Sequence, residues 1–290
     1  MSRHVVAVGG GHGLAASLRA IAPTADHVTA VVSTADDGGS TGRLRESWDV
    51  PALGDVRRCL AALAPPGGLW PRVLERRFDA GELSGHAVGN LLLLALTEEL
   101  GDLQSACDEV AHTCGLDPTR ARVVPVTDDA VVLHGRTVDG TVVEGQVAVA
   151  AATGVEEVWV EPSGTASSTV AVQAIRGADQ VVLGPGSLYT SVLAALVVGD
   201  LRHALADSAA QVVYVANLHA ERAEARGYDV AAHVAALARH GVEPDVVVTQ
   251  SGGLPLGTVG VKVVEAEVAD ARGRVHDPGA LGAVLAALLG

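Results

Sequence analysis

Short apolar runs alternate with amphipathic stretches from the first residues of the chain onward. His4–Val8 reads as a short buried strand, Gly9-Gly10-Gly11-His12-Gly13 as a turn, and Leu14–Ile21 as an amphipathic helix ending at Pro23. His27–Ser33 is a second strand, and Thr34–Gly42 a polar, glycine-rich loop behind it. Helical spacing follows near Asp55–Leu63 and over Trp70–Phe78, Gly89–Leu100 and Asp102–Thr113, before Arg122–Val126 returns to strand. Val131–Thr137 and Thr141–Val147 alternate around Val138-Asp139-Gly140, and Asp-Gly between such runs predicts a β-hairpin. Val158–Glu161 reads as a further strand. The α/β rhythm then resumes: helix Thr169–Arg176, strand Gln180–Leu183, a turn at Gly184-Pro185-Gly186-Ser187, helix Leu188–Val198 and strand Gln211–Ala216. Helix Val230–His240, strand Asp245–Thr249, a strand around Val259–Val268 and helix Pro278–Leu289 complete it.

Strands alternating with helices imply a three-layer α/β fold whose mainly parallel sheet is covered on both faces. The hairpin, at about 130–150, suggests an antiparallel annex on that sheet. No repeat, low-complexity linker or composition break divides residues 1–290, so a single domain is expected.

Composition narrows the setting. Apolar residues make up 49% of the 290 and aromatics only 2%, so the core must be built from Val, Leu, Ala and Ile. No stretch approaches the ~20 apolar residues of a membrane span. Met-Ser-Arg-His runs straight into Val5–Val8 without the layout of a secretion signal, and a cytoplasmic protein is expected. Cys59, Cys107 and Cys114 are odd in number and form no C-x-x-C, which argues for buried free thiols. A net charge of −14 argues against nucleic-acid partners and anionic membranes. The charge is uneven, though: Arg43, Arg45, Arg57 and Arg58 lie close together and could form a local positive pocket for a small anion.

In an open parallel sheet, ligands bind beyond the carboxyl ends of the strands. Four loops qualify. Gly9–Gly13 reads equally as a phosphate loop or as a tight strand–helix turn; Leu14 stands at the third glycine position of G-x-G-x-x-G, and no Walker lysine follows. Asp36 and Asp37, at the next strand end, could hold a hydrated Mg²⁺, accept hydroxyls from a ribose, or merely cap a turn. Gly85-His86-Ala87-Val88-Gly89-Asn90 opens a very apolar helix, where Asn90 suits a base or sugar and His86 reads as structural. Gly184-Pro185-Gly186-Ser187 reads as a second anion cradle or a plain cap with Ser187 at the N-cap, and Asn217 ends a further strand. No second His or Cys stands at zinc-ligand spacing, and no Gly-x-Ser-x-Gly elbow occurs.

Four segments together resemble a known family. Ala35-Asp36-Asp37-Gly38-Gly39-Ser40-Thr41-Gly42-Arg43-Leu44-Arg45, Gly54-Asp55-Val56-Arg57, Gly85-His86-Ala87-Val88-Gly89-Asn90-Leu91 and Leu183–Ser191 are similar, in order, to motifs of the YvcK-type gluconeogenesis factors of the CofD-like superfamily. The resemblance implies a Rossmann-like three-layer α/β/α fold and a cytoplasmic protein that binds UDP-sugars, notably UDP-N-acetylglucosamine. It also implies a role in cell shape and wall synthesis on gluconeogenic carbon sources. Gly10, Gly11, Gly13, Gly184, Gly186 and Ser187 would cradle the diphosphate, Arg43 and Arg57 would balance it, Asp37 and Asn90 would hold base, ribose or sugar, and Asp36 and Asn217 are further candidate ligand-binding residues. Tyr228 is carried over as a sugar contact, because Glu224, Gly227 and Tyr228 survive from the family's Q-P-G-E-T-D-G-Y segment, here Glu221–Tyr228. Two departures stand out: Arg58 where the family has Asn, and Arg226 where it has Asp.

The transferase branch of the superfamily implies an alternative, an Mg²⁺-dependent transfer of a phospholactyl-type group from a nucleoside-diphosphate donor, with Asp36 and Asp37 on the metal. A third reading places NAD(P) in the crevice. Self-association is left open, and Thr34–Gly42 and Ala220–Gly227 are the polar segments expected to move.

Overall fold

The computed structural model describes residues 3–220 and 223–290, so Glu221 and Arg222 of the degraded motif lie outside the described residues. Seven strands form one parallel sheet: β1 (His4–Gly9), β2 (His27–Val32), β3 (Ala121–Pro125), β7 (Gln180–Leu183), β8 (Gln211–Val215), β9 (Val246–Gln250) and β10 (Lys262–Ala266). Their spatial order is β10-β9-β8-β7-β1-β2-β3. The chain builds outward from β1 through β2 to β3, then returns to β7 on the other side of β1 and builds outward again. The reversal lies between β1 and β7, which pair from Val5↔Gln180 to Val8↔Leu183. A ligand crevice belongs at such a switch point.

Successive side chains of β1 serve two cores. Val6 and Val8 join Val181, Leu183, Tyr214 and Val247 on one face. Val5 and Ala7 join Val182, Val213, Val215 and Val248 on the other. Burial on both faces is why these strands read as continuous apolar runs. One core is roofed by α1 (Gly11–Ile21), α3 (Gly54–Leu63), α5 (Val88–Leu100), α6 (Leu103–Thr113) and α12 (Pro278–Leu289). The opposite core takes α8 (Thr169–Arg176), α10 (Leu201–Ala206), α11 (Val230–Arg239) and α9, a π-helical segment at Leu188–Leu193 that continues as α-helix over Ala194–Leu196. The three-layer α/β/α expectation holds.

The annex differs from the expected hairpin. β4 (Val132–Thr137) pairs antiparallel with β5 (Val142–Glu144) and also with β6 (Val155–Glu161), giving a separate three-stranded sheet of order β5-β4-β6. The second hairpin arm stops at Glu144, because Gly145 turns the chain at φ 93° and Gln146–Ala151 forms helix α7. Its Val-Ala alternation looked strand-like, but alanine favours helix and only Val149 is buried. A short helix, α2 (Gly39–Arg45), begins within the expected polar glycine loop, and α10 forms in a segment the sequence left unassigned. α4 (Leu69–Glu75) ends three residues before the expected Phe78.

Cys59, Cys107 and Cys114 are buried free thiols, and burial pushes the first two well above the usual thiol range. Among the described residues, no helix is long and apolar enough to cross a membrane.

Candidate functional site

At the switch point the turn after β1 and the turn after β7 touch. A Cβ added at Gly13 would overlap the Pro185 carbonyl oxygen, so the first turn of α1 can lie against the Gly184–Ser187 turn only with glycine there. Both turns open helices whose N-terminal N–H groups suit an anion. Each helix receives one from the protein itself. The Gly11 N–H donates to Asp55 Oδ2 at 2.6 Å, and Asp55, in the first turn of α3, is 4% exposed. The Tyr189 N–H at the start of α9 donates to Glu224 Oε1 at 3.0 Å, and Glu224 is 3% exposed. Ser187 stands at the N-cap position, but its side chain makes no capping bond. The Gly186 N–H is also engaged, donating to Asn217 Oδ1 at 3.0 Å. The N–H groups that the sequence offered to a diphosphate at Gly11 and Gly186 thus already serve internal acceptors.

A cavity of about 270 Å³ opens beside Gly11, between the Asp36–Thr41 segment and the N-termini of α3 and α5, with Arg58, Arg77, Gln146 and Ser191 on its walls. Asn90, 2% exposed, forms part of its floor. Its Nδ2 donates to Ser40 Oγ at 3.1 Å and to Thr41 Oγ1 at 3.4 Å, which fixes the amide, and its Oδ1 has no partner among the described residues. Ser40 Oγ is also 3.1 Å from His86 Nδ1. Gln146 ties the annex to this wall by donating to the Thr190 carbonyl at 3.2 Å.

The cavity holds two carboxylates, but not the adjacent pair the sequence suggested. Asp36 faces Asp55 across it. Burial raises the Asp36 carboxyl above its usual range and Asp55 raises it further, while the Gly38 N–H at 3.0 Å and Arg58 pull the other way. Asp37 turns outward: its Oδ1 accepts the Val147 N–H at 2.9 Å, holding the first turn of α7. It lines a separate, open cavity of about 580 Å³ with Arg43 and Arg45. Arg43 is exposed there and donates to the Ser84 carbonyl at 2.8 Å.

The adjacent arginines divide in the same way. Arg57 is 1% exposed and sits 3.4 Å from Glu75, with its stem against Gly89, buried among α3, α4 and α5. Burial lowers its pKa, and Nε and Nη1 have no partner among the described residues. Arg58 is the arginine that reaches the cavity, and it pairs with Asp55.

A second cavity, of about 280 Å³, lies on the other side of the α1 turn, lined by His12, Gly13, Pro185, Gly186, Asn217, His219, Arg274 and His276. Burial pushes His276 down to about 4, keeping it neutral at physiological pH. Tyr228 lines neither cavity; its hydroxyl lies 3.0 Å from that of Tyr189 and donates to the Val155 carbonyl at 3.3 Å, on the sheet face that carries α9 and α11.

The donor set does not fit a dedicated Mg²⁺ cage. Asp37 faces away, Asp55 already receives an N–H and a guanidinium, and no three metal-capable side chains cluster among the described residues. Sequence reasoning placed Arg58 only among the arginines of a local positive pocket and Ser191 only inside a motif, and it missed Arg77 and Gln146 as cavity residues. For Arg58 the signal was available, since Asp55 and Arg58 are three apart in a helix and share one face. For Ser191 the signal was its place in the Leu183–Ser191 motif; for Gln146 there was none.

The chain matches the family described as 2-phospho-L-lactate transferase CofD over residues 5–271. A protein named "Gluconeogenesis factor" from Halalkalibacterium halodurans is 38% identical over 251 residues, covering 85% of this chain and 77% of that one. A "Putative gluconeogenesis factor" from Mycobacterium tuberculosis is 39% identical over 310 aligned residues, covering 98% and 90%. The crystal structure of a UPF0052-family protein from Bacillus halodurans aligns with a TM-score of 0.91 at 32% identity, over 98% of this chain and 99% of that one.

Proposed function

This chain belongs to the CofD family, on the branch whose curated members are named gluconeogenesis factors, and from that membership we propose that it binds a UDP-sugar, UDP-N-acetylglucosamine, as a non-catalytic gluconeogenesis factor. Its action on cell shape and wall synthesis, in the cytoplasm, belongs to the same proposal. The observation that carries it is the pair of cavities, about 270 and 280 Å³, that share the α1 turn as a wall at the β1/β7 switch point. Together they match the size of a nucleotide-linked ligand. Arg58 and Arg77 on one side and Arg274 on the other offer charge to a diphosphate, and Asn90 and Asn217 offer amides to base or sugar. The glycine turns support this reading as packing elements rather than as the phosphate grip.

Titration calorimetry tests it, with UDP-N-acetylglucosamine against UDP, NAD and GDP, each in EDTA and in Mg²⁺. Saturable one-to-one binding of the UDP-sugar, with none of NAD or GDP, is expected. Absence of heat with the UDP-sugar at high concentration would end the proposal.

One observation favours a second reading. Asp36 and Asp55 face one cavity, and although the protein alone forms no Mg²⁺ cage, these carboxylates together with a donor's own phosphates would hold the ion that an Mg²⁺-dependent transferase acting on a nucleoside-diphosphate donor needs. Arg58, paired with Asp55, ranks this second. Release of a nucleoside monophosphate on incubation with donor, Mg²⁺ and a panel of acceptors would promote it.

A further inference from the structure

Arg58, unlike its buried neighbour Arg57, lines the cavity, and its surroundings show what that charge does there. Asp55 and Arg58 share one face of α3, and Arg58 Nη1 pairs with Asp55 Oδ1 while Oδ2 takes the Gly11 N–H. Asp36 closes in from β2. A Cβ added at Gly54 would lie 3.2 Å from Asp36 Oδ2, 3.9 Å from Arg58 Nη1 and 2.8 Å from Thr41 Oγ1, so Asp36, Arg58 and Thr41 gather around Gly54 in the cavity lining.

Asp36 and Asp55 line the same cavity, and carboxylates so placed repel each other unless a cation stands beside them. A divalent ion is one solution, and a guanidinium is another. A guanidinium carries five N–H donors, so pairing with Asp55 leaves several to meet a second anion, and their planar fork matches a phosphate. Arg58 lines the cavity and its side chain is 21% exposed, so these donors are within reach of a ligand.

We infer that Arg58 is a built-in cation that takes the place of a divalent metal beside Asp36 and Asp55, and that it meets the phosphate of the ligand without metal. The phosphate half of this inference rests on the UDP-sugar reading; the metal half does not. Charge balance at the site follows. Asp55 is neutralised by a side chain that cannot dissociate, and a metal approaching Asp36 meets a fixed positive charge.

The test has two arms. In the first, paramagnetic resonance follows free Mn²⁺ as wild type and Arg58→Asn are added. Wild type is expected to leave the signal of free Mn²⁺ unchanged, and the variant to remove about one equivalent, its carboxylate pair now being unopposed. In the second, calorimetry measures UDP-N-acetylglucosamine binding in EDTA and in Mg²⁺. Wild-type affinity is expected to be the same in both, and Arg58→Asn to lose at least about tenfold in EDTA and regain part of it in Mg²⁺. Arg58→Lys, which keeps the charge but not the fork, should remain metal-independent, and it serves if Arg58→Asn fails to fold. Stoichiometric Mn²⁺ binding by wild type, or a wild-type affinity that needs Mg²⁺, overturns the inference. So does an Arg58→Asn variant that binds the UDP-sugar in EDTA as tightly as wild type. A wild type that binds no UDP-sugar overturns the ligand reading and the phosphate half with it, while the manganese arm still decides the metal half.

Discussion

Asp55 Oδ2 accepts the Gly11 N–H at 2.6 Å, so the N-terminus of α1, one of the two anion cradles considered from the sequence, is closed by a carboxylate from α3. Removing it exposes two needs at once, an orphaned N–H and an unpaired Arg58. Asp55→Ala is expected to lower unfolding stability by about 2–3 kcal/mol, the range for a buried acceptor lost from a charged network. Asp55→Asn, which can still accept, should lose less. Urea denaturation measures both, and a change under about 0.5 kcal/mol in Asp55→Ala would show that the bond is not structural.

Gly13→Ala tests the contact between the two turns. The added methyl would overlap the Pro185 carbonyl, which is backbone and cannot rotate away. The α1 and β7 turns must separate, at a cost of roughly 1–3 kcal/mol or more. A thermal melt indistinguishable from wild type would mean that the turns do not abut.

Neighbouring residues of like chemistry should separate by experiment. Arg57→Met keeps the stem that packs on Gly89 and removes a buried charge, so ligand affinity is expected to be unchanged. Asp37→Asn weakens the hold on α7 and should cost about 1 kcal/mol, as caps do, again with unchanged affinity. Loss of UDP-sugar binding in either variant, with folding intact by circular dichroism, would return that residue to the site.

Stability should fall on mild acidification. His276, 7% exposed, is held down to about 4 by burial, against 6.5 ordinarily. Between those values the unfolded chain binds a proton that the folded chain refuses, so stability is fully present above about 6.5 and declines as pH falls toward 4. For this one group the full difference is about 3 kcal/mol. Burial lowers His233 and His240 in the same direction. Chemical denaturation at stepped pH should show His276→Gln with a shallower decline than wild type; an identical slope would remove His276 as a contributor.

The fold was readable because the parallel strands are buried on both faces and stand out as Val-rich runs, and because helix α12 announces itself with Asp277 as cap and Pro278 at its start. The annex was half legible: Asp139-Gly140 marked the turn, but nothing local distinguished the Val-Ala run after Gly145 from a strand. The location of the site was legible too, since glycine turns after β1 and β7 point to the switch point. Which side chains enter it was not. Asp36 and Asp37, or Arg57 and Arg58, are equivalent on paper, yet successive residues leave a strand end or a helix in different directions. The carboxylates that close the two helix N-termini come from 44 and 35 residues away, a pairing that only the packed structure reveals.

A crystal structure of the protein grown with UDP-N-acetylglucosamine in EDTA tests most directly whether a nucleotide-linked sugar lies in the crevice around the α1 turn. The diphosphate is expected within hydrogen-bond distance of Arg58, beside the cavity floored by Asn90, with the rest of the ligand across the turn toward Asn217. A ligand bound instead at the outer cavity of Asp37 and Arg43, or against Tyr228, would contradict that placement.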